Sequence, residues 1–205
     1  MGNALVAGPD SGITGPADLG GRTLAVIGLS SLNTLAAQEL AARAGVDAAS
    51  IQLVQMPFGQ MPAALAAGDV DAAVVQSPFI AEALADGSTV VAKPNVELFA
   101  DEAVGLFLTS ESTVNRDEPT VRGFAQAMVE SQEYAAANVP AAQATLVDRL
   151  GLTPEAAAAA TWCTTCDPAL DTEGLTTVQD LMVRFAGLDD PAPVDEAVWA
   201  EALTY

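Results

Sequence analysis

Short apolar runs alternate with Ala-rich stretches through the first half of the chain. Thr23-Leu24-Ala25-Val26-Ile27 follows the turn-rich segment Gly15 to Gly21 and stops at Gly28, which predicts a buried strand. Ile51 to Met56, Asp69 to Val75 and Thr89 to Val91 predict further strands of the same kind. Between them, Leu35 to Ala44 closes on Gly45, Met61 to Ala67 closes on Gly68, and a third segment runs from Phe79 to Gly87. A glycine just past an Ala-rich run is a helix stop, so these read as helices. Strands alternating with helices at this spacing predict an α/β fold of βαβ units, with a parallel-rich sheet covered by flanking helices.

Ala103 to Thr109 predicts one more strand, and beyond it only helical patterns remain. Val121, Phe124, Met128 and Ala135 share one face of a helix begun near Glu118-Pro119; Leu175, Val178, Leu181, Met182 and Phe185 share a face of a later one. The run Ala157 to Ala160 signals helix propensity and nothing further. This change of pattern sets an expected boundary between residues 1–102, a complete α/β ligand-binding lobe, and residues 103–205, a helical C-terminal segment.

Composition narrows the functions. A chain of 205 residues with 51% hydrophobic and 17% charged content can bury a sizeable core. Its 27 acidic side chains against seven basic ones give a net charge of −20, which repels nucleic acid and anionic lipid surfaces. No stretch approaches the roughly 18 to 20 apolar residues that span a bilayer. The opening Met1-Gly2-Asn3-Ala4-Leu5 lacks a basic segment followed by an apolar run, so the expectation is a soluble chain without a signal peptide. Histidine is absent and cysteines number two, which removes His-based acid–base chemistry, His metal sites and every Ser-His or Cys-His pair. No catalytic residue, metal or cofactor is expected.

The candidate ligand-binding residues cluster after predicted strands. Ser30, Ser31, Asn33 and Thr34 fall at a helix start, where free backbone N–H groups and the helix dipole favour an anion or polar head, although plain helix capping needs one of them too. Gln76 and Ser77 stand where the third predicted strand ends, and open α/β sheets bind ligands beyond the carboxyl ends of their strands; the alternative is a solvated turn. Phe58 and Gln60, after the second strand, could supply an apolar wall and an amide, unless Phe58 is simply core. Cys163 and Cys166 form a Cys-x-x-Cys pair, but an Ala-rich helix precedes it and Asp167-Pro168 follows, unlike a redox site. A structural disulfide or two reduced thiols is expected.

These segments resemble a known family. Pro16-Ala17-Asp18-Leu19-Gly20-Gly21-Arg22-Thr23-Leu24-Ala25-Val26 resembles the lobe-opening segment of type 2 periplasmic solute-binding proteins of ABC importers, in the branch associated with nitrate, sulfonate, taurine and thiamine-precursor uptake. Gln55 to Ala73, followed by Ser77-Pro78-Phe79, resembles the same branch, and the likeness extends over about Ile13 to Gly187. It implies two lobes closing on a small polar or anionic solute, with Ser30, Ser31, Asn33, Gln60 and Gln76 facing the cleft from one of them. It also implies an ABC transporter permease as partner and a periplasmic or extracellular location, membrane-associated in the full-length protein.

Family members ordinarily begin with several strands of one lobe ahead of the segment that opens this chain. Residues 103–205 would then be the returning strand and helices of an incomplete lobe. Val121, Phe124, Met128, Leu181 and Phe185 would be exposed, which predicts a homo-oligomer or swapped dimer. Two other functions stay open: an enzyme of thiamine-precursor or menaquinone type on the same fold, and a fragment that retains no ligand binding.

Overall fold

The apolar runs become one five-stranded sheet in the computed structural model, which describes residues 3–99, 107–150, 154–159 and 171–199. The strands β1 (Asn3–Ala7), β2 (Thr23–Val26), β3 (Gln52–Gln55), β4 (Ala72–Gln76) and β5 (Thr89–Ala92) lie in the order β3-β2-β4-β1-β5. β2 pairs in parallel with β3 and β4, while β1 is antiparallel to both β4 and β5. Four strands therefore run one way and β1 runs against them. That strand is an addition to the predicted set: its apolar run, Ala4 to Ala7, is too short to signal a strand by itself.

Side-chain alternation divides the core into two layers, because successive residues of a strand point to opposite faces. Leu5, Ala7, Leu24, Val26, Ala72, Val74 and Ala92 face helix α1 (Leu32–Arg43). Ala4, Val6, Ala25, Ala73 and Val75 face α2 (Met61–Ala67) and α3 (Phe79–Ala85). The helices match their predicted positions. α2 ends where Gly68 takes φ +75°, and its N–H caps the carbonyls of Ala64 and Leu65. A left-handed residue there is inexpensive for glycine and strained for others.

After β5 come α4 (Pro94–Leu98), α5 (Glu111–Arg116), α6 (Glu118–Ala137), α7 (Val139–Leu150), α8 (Pro154–Ala159), α9 (Thr172–Ala186) and α10 (Val194–Ala197). The chain divides into two units, one of Met1–Ala100 with Thr176–Pro191 and the other of Asp101–Leu175 with Ala192–Tyr205. Most of α9 thus belongs with the sheet. Of the predicted strand Ala103 to Thr109, residues 107–109 are exposed and have no strand structure, and residues 103–106 lie outside the described residues, as do Cys163 and Cys166.

Every residue of α1 from Thr34 to Ala41 is buried, since the sheet covers one side and α9 packs on another. Leu181, expected to be exposed, is only 6% exposed and shares a cluster with Leu35, Ala36 and Phe99. Phe185, expected to be exposed as well, is half-buried against the same cluster, beside Val178 and Met182. The correction has a simple cause: the apolar stripe of α9 found the outer face of α1. Glu39 adds a polar tie, accepting from Arg43 Nε at 2.8 Å and from Arg184 at 2.5 Å.

In the second unit the expected exposure holds for Phe124, which is 51% exposed, whereas Val121 and Met128 are half-buried. Phe107 meets Phe124 edge to face at 5.5 Å, and Arg122 stands over the Trp199 ring at 5.6 Å.

Leu181 and Arg184 separate the two kinds of α9 attachment. Leu181→Ala removes a buried side chain and is expected to cost about 2 to 3 kcal/mol. Arg184→Gln breaks an ion pair whose arginine is 56% exposed, and should cost no more than about 1 kcal/mol. Urea unfolding of the two variants beside the parent gives both differences.

Candidate functional site

The direction of the strands collects the candidate residues at one edge of the sheet. β2, β3, β4 and β5 all present their carboxyl ends there, and the antiparallel β1 presents its amino end. Open α/β sheets hold ligands at this edge, where helix N-termini and loop N–H groups are concentrated.

Ser31 and Thr34 are committed to the turn that starts α1. Ser31 is its N-cap, with the Thr34 backbone N–H donating to Ser31 Oγ at 3.3 Å. Thr34 Oγ1 donates to the Gly28 carbonyl at 2.7 Å and lies 2.9 Å from Ser31 Oγ. Thr34 is also buried, so capping accounts for both side chains. Ser30 is exposed in the same turn.

Asn33 is engaged differently. Its Oδ1 accepts from Asn3 Nδ2 at 2.6 Å and from Asn95 Nδ2 at 2.9 Å. Asn3 begins β1, directly opposite Gln76 at the end of β4. The residues of these two strands that point to the α1 face are Asn3, Leu5 and Ala7 on one and Ala72, Val74 and Gln76 on the other. Asn33 and Gln76 are therefore brought together through Asn3. Asn95, in α4 after β5, completes the cluster.

Asn3 and Asn95 were missed by sequence reasoning. Asn3 heads the unrecognised β1, and Asn95 follows Lys93-Pro94, a helix-start signal too short to stand out.

The remaining candidates sit toward the other face. Phe58 lies in a 3₁₀ turn (Phe58–Gln60) and packs half-buried on the α2 and α3 core, with Met56, Phe79 and Ile80 beside it. Gly59 touches this group: a Cβ there would lie 3.5 Å from the Phe79 ring. Gln60 and Ser77 are exposed.

The electrostatics of this edge are mostly uncharged. Arg22 pairs with Asp71 at 3.4 Å before β2 and β4 begin, at the opposite edge, and Arg184 pairs with Glu39. Lys93, exposed after β5, is a cation at the carboxyl edge. The carboxyl of Asp18 is held below its usual range by the Thr14 backbone N–H and hydroxyl, in the segment leading into β2. Among the described residues no group of His, Cys, Asp and Glu could hold a metal ion. Nor is any helix there long and apolar enough to cross a membrane.

The sequence profile of the family described as NMT1/THI5 like matches residues 2–142. The chain belongs to the NMT1/THI5-like family. No curated protein sequence matches it significantly. Among solved structures, the NMT1/THI5-like chain is similar to the periplasmic aliphatic sulphonate binding protein SsuA from Escherichia coli, with a TM-score of 0.72 at 19% identity, covering 100% of this chain and 71% of that one. It is similar to the alkanesulfonate-binding protein SsuA from Xanthomonas axonopodis pv. citri bound to MOPS, with a TM-score of 0.69 at 22% identity, covering 97% and 69%. It is also similar to the desulfurization enzyme DSZB, with a TM-score of 0.70 at 20% identity, covering 99% and 75%. This family member thus has the fold of type 2 periplasmic binding proteins, a fold that an enzyme shares.

The cap and the exposed serine separate by stability. Thr34→Val removes one of the two donors to the half-buried Gly28 carbonyl, which keeps the Ser31 N–H, and is expected to cost about 1 kcal/mol. Ser31→Ala should cost about 1 kcal/mol, and Ser30→Ala should stay within about 0.5 kcal/mol. Denaturant midpoints of the three variants are the check.

Proposed function

We propose that this protein is the solute-binding component of an ABC-type importer, taking a small polar or anionic, sulfonate-like solute at the carboxyl edge of its sheet. The observation that carries the proposal is the convergence of Asn33, Gln76, Asn3 and Asn95 at that edge. Uncharged amides beside a helix N-terminus can hold an anion through N–H donors with little formal positive charge. Family membership and likeness to two sulfonate-binding proteins support the same reading. A membrane permease is the corresponding partner, and the periplasm or cell exterior the corresponding location.

Ser30, Gln60 and Ser77 are exposed side chains of this edge available to the solute, and Phe58 contributes an apolar wall. Ser31 and Thr34 shape the turn. The protein binds without turnover on this reading, in keeping with a chain that has no histidine. Self-association is part of the proposal as well, supported by the exposed Phe107, Leu108, Phe124 and Tyr134 of the second unit. Sedimentation that stays monomeric at high concentration would remove that part.

Melting curves with ethanesulfonate, taurine, MOPS, nitrate, bicarbonate, amino acids and pyrimidines test the function. At a hundred times Kd a bound solute raises Tm by about 5 to 10 °C. No shift with any probe, on a folded baseline, overturns the binding role, and a converted product seen by mass spectrometry overturns the absence of turnover. Asn33→Asp keeps the acceptor for Asn3 and Asn95 but faces an anion with like charge, so sulfonate affinity should fall at least about tenfold with Tm little changed.

A further inference from the structure

We infer that Asn3 and Asn95 are positioning residues that lock the side-chain amide of Asn33 in one orientation, so that Asn33 meets the solute as a hydrogen-bond donor. The inference rests on the solute-binding proposal for its functional meaning and on the asparagine cluster for its geometry.

An amide oxygen has two lone pairs. Both are used in Asn33, one by Asn3 Nδ2 at 2.6 Å and one by Asn95 Nδ2 at 2.9 Å. What Asn33 has left is Nδ2, which donates to no other described residue and is not among the buried polar atoms lacking a partner. It stands in the first turn of α1, a helix of 12 residues, where the partial positive charge of the helix end adds to that of the amide hydrogens. Two neutral side chains thus give this corner a donor of its own, beside the exposed Lys93 that precedes Asn95 by two residues.

The arrangement carries a cost that a purely structural cluster would avoid. Asn3 Oδ1 and Asn95 Oδ1 are buried and have no hydrogen-bond partner among the described residues. Turning all three amides over would let Asn33 Nδ2 serve both oxygens, but it would strand the amide nitrogens of Asn3 and Asn95 instead. Orphaned N–H groups are tolerated less well in protein interiors than carbonyls with unused lone pairs. The acceptor-inward orientation of Asn33 is therefore the preferred one, and the two stranded oxygens are the consequence of keeping it.

Leucine is close to asparagine in size and carries no polar atom to strand. Asn3→Leu with Asn95→Leu is therefore expected to leave Tm unchanged or raised, since replacing poorly satisfied buried polar groups with apolar ones of similar shape is neutral or better. Freed of its two donors, Asn33 can rotate, and affinity for ethanesulfonate should fall about tenfold. Loss of affinity in step with loss of Tm would mean the pair only supports the fold, and unchanged affinity would mean that Asn33 needs no positioning; either result overturns the inference.

A second measurement needs no ligand. In the 15N-labelled parent, exchange of side-chain amide protons with water should be slow for Asn3 and Asn95 and fast for Asn33, and the reverse pattern also overturns it. Should the parent bind no sulfonate at all, the functional proposal fails while this exchange pattern still decides the orientation of Asn33.

Discussion

The pairing of β1 with β4 and β5 is the constraint on which the first unit depends. β1 lies between them in the sheet, and its residues Ala4 to Ala7 are buried on both faces. Each of its backbone N–H and C=O groups must be paired, because an unsatisfied group there has no water to turn to. Without β1, β5 has no neighbour in the sheet, and β4 loses one of its two. The same strand supplies alternate residues to both core layers, Leu5 and Ala7 to one and Ala4 and Val6 to the other. Its reversed direction also brings Asn3 to the edge where the other strands end.

That placement explains the chemistry of the candidate site. On the proposed reading of the site, a net charge of −20 opposes an anionic solute on Coulombic grounds. Local groups must therefore outweigh the general field. Arg22 and Arg184 do not do so, since they are held by Asp71 and Glu39. On the proposed reading the task falls to N–H donors at the start of α1 and to the side-chain amides around Asn33, interactions that act at contact distance and are little affected by distant surface charge.

Helix α9 shows how packing outranks the ion pair that accompanies it. Its contact with α1 buries Leu181 and half-buries Val178, Met182 and Phe185. The Arg184–Glu39 pair joins one mostly exposed partner to one mostly buried one, so solvent screening leaves it a minor contribution. α1 is buried along its middle, from Thr34 to Ala41, because the sheet and α9 cover different sides of it.

Most of the α/β half was legible in the sequence. Short apolar runs such as Leu24 to Val26, and Ala-rich stretches closed by Gly45 and Gly68, are local signals, and the structure forms them nearly residue for residue. So were the edge positions Asn33, Gln60 and Gln76, because a strand that ends must hand its chain to a turn. Tertiary structure decided what depends on partners far along the chain. β1 is a strand because β4 and β5 flank it, not because five residues prefer extension strongly. Phe107 to Thr109, the described end of a predicted strand, is exposed and irregular. Leu181 is buried because α1 offers it a surface 145 residues away in the same register as Arg184 and Glu39. Asn3 and Asn95 meet Asn33 across separations of 30 and 62 residues. Hydrophobic periodicity carries information over one turn or one pleat, and a hydrogen bond between distant amides leaves no trace in it.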